Sequence, residues 1–257
     1  MGTDNLFKKR REERKKRKHD FKTPRANSYL IVTEGERTEP FYSRGRNEPS
    51  AHMCAFGECA RVNTSQLCCG VFDFDGIRKQ IKETIGGNVD VVSVPFIDVN
   101  GEGCSTGKLL EATERIVKNA KISYQHIWVV FDKDDFRDFN YAVKRGTDKG
   151  YHIAWSNPSF EYWLYLHFEY SDSALHRKSW NKKLDDIFKK YLIGEGRYRK
   201  NYEDIYDLLN RSEGARIAVN HAKRRMNGYC EGKMKPSEYN PGTNVFLLVD
   251  ELLKYLE

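Results

Sequence analysis

The chain has 257 residues, of which 39 % are hydrophobic and 32 % charged. That is enough apolar material for a folded core and excludes wholesale disorder. No run of about 18 apolar residues occurs, which excludes a membrane-spanning helix, and six cysteines in so long a chain do not make a disulfide framework. The basic start lacks the apolar stretch of a secretory signal, so a cytoplasmic protein with reduced thiols is expected.

The net charge of +7 has an address. Residues 1–27 hold eleven Lys and Arg against four Asp and Glu, a surplus of seven, and the rest of the chain is balanced. Lys8, Lys9, Arg10, Arg11, Arg14, Lys15, Lys16, Arg17 and Lys18 form a basic tail. Such a tail suits a phosphate backbone, because neutralising phosphates releases condensed counterions. It could equally be a solvated, disordered tail with no partner.

Residues 28–33 (SYLIVT) read as a buried strand. A short helix can follow at 38–45, and 47–75 is an irregular, cysteine-containing stretch with the character of an insertion. A helical pattern over 75–85 ends at Gly86-Gly87. A second strand is expected at 89–94 (VDVVSV), then a glycine-rich loop and a helix from about 108 to 121. A third strand covers 126–131 (HIWVVF), followed by a helix with Phe136, Phe139 and Val143. A fourth strand at 151–155 (YHIAW) closes on Ser156-Asn157-Pro158 before a helix with Glu161, Trp163, Leu164 and Leu166. Beyond 170 only helices are expected, at 181–193, 202–209, 215–226 and 244–253. The pattern predicts an α/β domain over 28–170 with a parallel sheet of about four strands flanked by helices, and a helical extension over 171–257.

Open parallel sheets bind ligands beyond the carboxyl ends of their strands. Here those ends carry Glu34 to Glu39 (EGERTE), Asp132 to Asp135 (DKDD) and Ser156 to Glu161 (SNPSFE). Carboxylates gathered at one edge repel one another and call for a counter-charge. With oxygen donors only, Mg²⁺ or Mn²⁺ is the fitting ion. Taken singly, Asp134, Asp135 and Ser159 also make good helix caps.

Glu34-Gly35 after one apolar strand and Asp132-x-Asp134 after a later one resemble the Toprim domain of topoisomerases, primases and OLD-type nucleases. The longer strings YLIVTEGERTEPFY, HIWVVFDKDD, SNPSFEYWLYLHFE and YNPGTNVFLLVDELL are similar to the RloB-like family of bacterial and archaeal Toprim proteins. The resemblance runs from about residue 28 to the end, except near 47–75. It implies a Toprim-like, Rossmann-like core and a role in anti-phage defence, often beside an ATPase. It also implies Glu34, Asp132 and Asp134 as the catalytic residues, Glu34 as acid/base and the paired aspartates as holders of the cation, with all three carboxylates expected to meet round the ion as its ligands. A second acidic pair for another metal would fall to Glu39 and Glu161. The activity implied is metal-dependent hydrolysis of phosphodiester bonds in DNA or RNA, transfer RNA included. The alternatives are a non-catalytic nucleic-acid-binding or sensor subunit and a primase-like nucleotidyl transferase. The basic tail, or Arg216, Lys223, Arg224 and Arg225 on helix 215–226, would grip the nucleic acid.

Three further signals are set aside. GEGCSTGKLL (101–110) lacks the first glycine and the hydroxyl residue of a P-loop. His52, Cys54, Cys59, Cys68 and Cys69 could bind zinc, but not at the usual paired spacing. His167, among aromatic neighbours, is read as a packed core histidine.

Overall fold

The computed structural model describes residues 23–24, 27–34, 96–101, 106–133, 137–199, 205–209, 213–229 and 234–256. Its centre is a five-stranded mixed sheet. The strands β2 (Ser28–Thr33), β3 (Phe96–Gly101), β5 (His126–Asp132) and β6 (His152–Asn157) run parallel in the order β3-β2-β5-β6. A two-residue strand, β7 (Gly242–Thr243), closes the far edge antiparallel to β6. A separate parallel bridge joins β1 (Thr23–Pro24) to β4 (Ile122–Ser123).

The central strands are apolar on both faces because both faces are covered. Leu30, Val32, Val129, Phe131, Ile153 and Trp155 point to one side. There they pack on α1 (Thr106–Asn119) and α2 (Phe139–Asp148). Tyr29, Ile31, Trp128, Val130 and Ala154 point to the other. That side is covered by α3 (Phe160–Tyr165), α4 (Arg177–Lys190), α5 (Ile205–Leu209), α6 (Gly214–Asn227) and α7 (Val245–Leu253). The helices beyond 170 thus share one apolar core with the sheet. At the amino ends of the strands, Glu251 of α7 accepts from the Tyr29 hydroxyl at 2.8 Å and lies 3.1 Å from His126 Nδ1, fastening the last helix to the sheet.

Two expectations need correction. The strand beside β2 runs over Phe96–Gly101, in a stretch read as leading into a loop; the expected strand at 89–94 lies outside the described residues. Its alternation is broken by Asp98, Asn100 and Gly101, so an apolar-run criterion passes it over. Strands also do not stop at 170. β7 is too short to leave a periodic signal, and it pairs through its neighbours. The Ser156 and Thr243 hydroxyls meet at 2.9 Å. Next to them, the Asn244 side chain imitates a strand: Oδ1 accepts from Trp155 N–H at 2.5 Å and Nδ2 donates to Ile153 O at 2.8 Å. The segment YNPGTN therefore completes the edge that SNPSFE leaves open. β6 accordingly runs two residues beyond its expected end, through Ser156 and Asn157.

Candidate functional site

Because β2, β3, β5 and β6 are parallel, Glu34, Asp132 and the Ser159–Glu161 turn come to one edge. Glu34 follows β2 and continues its ladder, its N–H donating to Val130 O at 3.1 Å. Its carboxylate is held at two points. Oε2 accepts from the Asp132 N–H at 3.3 Å, and Oε1 accepts from the Thr106 hydroxyl at 3.1 Å. Thr106 opens α1, so Glu34 sits at the positive end of a 14-residue helix whose own first turn has no acidic residue. A second carboxylate approaches the same turn: a Cβ on Gly107 would stand 3.0 Å from Asp138 Oδ2.

Asp132 is the last residue of β5. It shares its strand face with Trp128 and Val130, the face covered by the C-terminal helices. Glu161, in the first turn of α3, is on that side too and is 2 % exposed. Asp132 Oδ1 and Glu161 Oε1 are both shielded from solvent. Sequence reasoning passes over a third member, Tyr198. Its phenol feels the charges of both Glu161 and Asp132. Burial, first, and then Glu161, Asp132 and Asp185 hold its proton on well above the usual tyrosine range. Nothing in the local string RYR marks Tyr198; tertiary packing alone brings it there.

The edge is therefore two-sided. Glu34 leans to the α1 side, whereas Asp132, Glu161 and Tyr198 lie toward the helical side. Among the described residues no group of three or more His, Cys, Asp or Glu side chains closes round a single point. Asp134 and Glu39 lie outside the described residues, as do His52, Cys54, Cys59, Cys68 and Cys69. The described donors at this edge, Glu34, Asp132 and Glu161, are all carboxylate oxygens, the donor type that Mg²⁺ and Mn²⁺ take.

The basic candidates divide likewise. The tail from Lys8 to Lys18 lies outside the described residues. On α6, Arg216 and Arg224 are exposed. The Arg224 guanidinium stacks 4.1 Å over the Tyr170 ring, and Lys223 pairs with Asp250 of α7 at 2.9 Å. Arg225 is built into the fold: Nε donates to Pro241 O at 3.0 Å, and the guanidinium contacts Tyr229. It ties α6 to the segment that completes the sheet. His167 is a core residue, 2 % exposed and edge-on to Trp163 at 5.2 Å. Residues 160–166 are all buried.

No helix among the described residues is long and apolar enough to cross a membrane. No curated protein and no solved structure matches the chain. The family model described as RloB-like protein matches residues 29–252. That span runs from the first buried strand, through the Glu34 and Asp132 strand ends, to the last helix. The chain belongs to the RloB-like family.

Proposed function

We propose that this protein is a divalent-metal-dependent Toprim nuclease of an antiviral defence system, hydrolysing phosphodiester bonds in DNA or RNA. The observation that carries the reading is the contact of Glu34 with Asp132 across the carboxyl ends of β2 and β5, at 3.3 Å. The donor is the backbone N–H of Asp132, so the bond fixes the Glu34 carboxylate at the edge where an open parallel sheet binds its ligands, while the Asp132 side chain lies toward the helical face.

In this reading Asp132 and Asp134 hold Mg²⁺ or Mn²⁺, with Glu161 and Glu39 as further ligands. A cation bound there would polarise the scissile phosphate and offset its developing negative charge. Glu34 is oriented by Thr106 and by the Asp132 amide, and its carboxylate, with two lone pairs on each oxygen, takes a proton from the attacking water. The basic tail supplies the counter-charge that an acidic edge lacks, and Arg216 and Arg224 extend it on the body. An ATPase of the same system is the partner that the family resemblance favours.

The test is incubation of the purified chain with Mn²⁺ and labelled DNA and RNA pools, beside Glu34→Gln and Asp132→Asn. Cleavage by the wild type and a loss of at least about 100-fold in each variant is expected. Equal behaviour of all three proteins overturns the reading. One observation favours a second reading, a binding or sensing subunit: both Glu34 oxygens already accept hydrogen bonds within the fold. In that case the two variants keep function and deletion of residues 1–27 abolishes it.

A further inference from the structure

The balanced body conceals a local surplus of charge. Residues 177–199 hold eight Lys and Arg against three Asp and Glu. Most of the surplus lies on α4, whose inner face, Trp180, Leu184, Ile187 and Phe188, is buried at helical spacing. The residues exposed on its outer face are Lys178, Ser179, Lys182, Asp186, Lys189 and Lys190. Lys190 bonds Glu169 at 2.6 Å, and Lys183 Nζ lies 5.3 Å from the centre of the Tyr165 ring. Asp185 is turned away from the row, accepting from the Tyr198 N–H at 2.9 Å. Lys178, Lys182 and Lys189 make no ion pair among the described residues.

Two observations set this row apart from an ordinary solvated face. The helix macrodipole favours acids in the first turn and cations in the last. Lys189 and Lys190 obey that rule, but the first turn of α4 has no acidic residue and carries Arg177 and Lys178 instead. Helix stability therefore accounts for the end of the row and not for its beginning, whereas an anion bound outside accounts for both. The second observation is direction. Trp180, in the first turn, packs on Tyr162 and Tyr165 of α3 at 4.9 and 5.3 Å. Lys190, in the last, reaches Glu169 beyond the end of α3. α4 thus runs alongside α3 in the same sense, and its cations begin at the end of α3 that holds Glu161. From Lys178 to Lys189 they span about 16 Å, at about 1.5 Å per residue, the reach of several successive phosphates.

We propose that Lys178, Lys182 and Lys189 grip the phosphodiester backbone of a nucleic-acid strand and lead it to the acidic edge. The inference rests on the reading of that edge as a phosphodiester site and adds a binding surface to it. On α6, by contrast, Lys223 and Arg225 are engaged within the fold. An acidic edge repels a strand, and a row of cations that begins beside it holds the strand against that repulsion. Lysine, a hydrated point charge on a flexible stem, suits a backbone gripped without reading its bases. A lipid surface is the poorer fit, because no apolar residue is exposed from Arg177 to Lys190.

The experiment follows the fluorescence anisotropy of labelled single-stranded DNA and RNA oligonucleotides with the full chain, at several salt concentrations and in EDTA so that nothing is cut. Lys178→Gln/Lys182→Gln/Lys189→Gln removes the row. Lys118→Gln/Lys144→Gln/Lys254→Gln removes the same charge from exposed positions elsewhere. The row variant is expected to bind at least about tenfold more weakly at low salt, with a slope of log affinity against log salt flatter by about 2–3, as three phosphates require. The second variant should keep the wild-type slope to within about 0.5. The row variant should also keep the wild-type thermal midpoint, since its three side chains point outward. No binding by the wild type, an unchanged slope in the row variant, or an equal change in the second variant overturns the inference. Polyglutamate that competes as well as the oligonucleotide per unit charge assigns the face to an acidic protein segment and overturns it too. The two readings can fail separately. Mn²⁺-dependent cleavage that Glu34→Gln abolishes, beside an unaltered slope in the row variant, keeps the nuclease and removes the grip. A flattened slope in a chain that cuts neither DNA nor RNA does the reverse.

Discussion

The amide of Asp132 donates to the carboxylate of Glu34, so the backbone of one strand end orients the side chain of its neighbour. The amide can only donate, whereas the Thr106 hydroxyl on the other oxygen can donate or accept. Glu34→Gln can therefore turn its carbonyl to Asp132 and its NH₂ to Thr106, keeping both bonds. A stability within about 1 kcal/mol of wild type is expected by thermal unfolding. Glu34→Ala removes both bonds, at a strand end and at the start of α1, which should cost about 1–3 kcal/mol. A fall in activity in Glu34→Gln at unchanged stability would then report chemistry and not folding.

Asn244 bonds two backbone groups of β6 through its side chain alone. Asn244→Ala strands the Trp155 N–H and the Ile153 carbonyl. Denaturant unfolding should show a loss of about 2–4 kcal/mol. Asn244→Asp should also destabilise, because an ionised carboxylate cannot donate to Ile153 O and would face it with like partial charge.

Gly146 lies where α2 crosses the sheet. A Cβ there would clash with Ile153 Cδ1 and stand 3.2 Å from Leu110 Cδ2. Alanine ordinarily improves a helix by about 1 kcal/mol over glycine. Here overpacking, typically about 1–3 kcal/mol, opposes it. Gly146→Ala should lower the thermal midpoint, and pairing it with Ile153→Val should recover part of the loss.

His167 gives the protein a pH dependence of definite sign. Complete burial pulls its pKa down from 6.5 to about 4, its bonds to backbone carbonyls notwithstanding. The unfolded chain takes up a proton below pH 6.5 that the native ring refuses. The native state therefore has its full advantage above pH 6.5 and loses it progressively as the pH falls toward 4, by about 3 kcal/mol over that window. Unfolding curves at about pH 7 and about pH 5, either side of the unfolded-state pKa, should diverge less in His167→Gln than in the wild type.

Removing residues 1–27 leaves a chain without net surplus charge. Nucleic-acid affinity should fall. The slope of log affinity against log salt should flatten by about 0.7–0.9 for each phosphate that the tail no longer neutralises. Filter binding at several salt concentrations measures it. Arg216→Glu should change the same slope by less, and Arg225→Ala should lower stability instead, through its bond to Pro241 O.

The legible parts of the fold are those written as continuous apolar runs. SYLIVT, HIWVVF and YHIAW are buried along most of their length and announce themselves as strands without regard to what lies elsewhere. The acidic ends of two of these runs point to one edge, because parallel strands must end together. Three features are not legible. Phe96–Gly101 interrupts its apolar residues with Asp98 and Asn100, which a strand read by hydrophobicity does not show. β7 is a strand only because Ser156, Trp155 and Asn244 lie beside it. Tyr198 is placed by the turn after α4, where its phenol feels the charges of Glu161 and Asp132, and no spacing along the chain encodes that placement. The two-sided character of the edge is also hidden, since it follows from which face of its strand each residue occupies.

The late closure of β6 by Gly242–Thr243 and Asn244 has a consequence for the order of events in the cell. A nascent chain still threading through the ribosome lacks these residues while it already carries Glu34, Asp132 and Glu161. The far edge of its sheet stays open until synthesis has passed Asn244, so β6 reaches its folded pairing only after that segment has emerged.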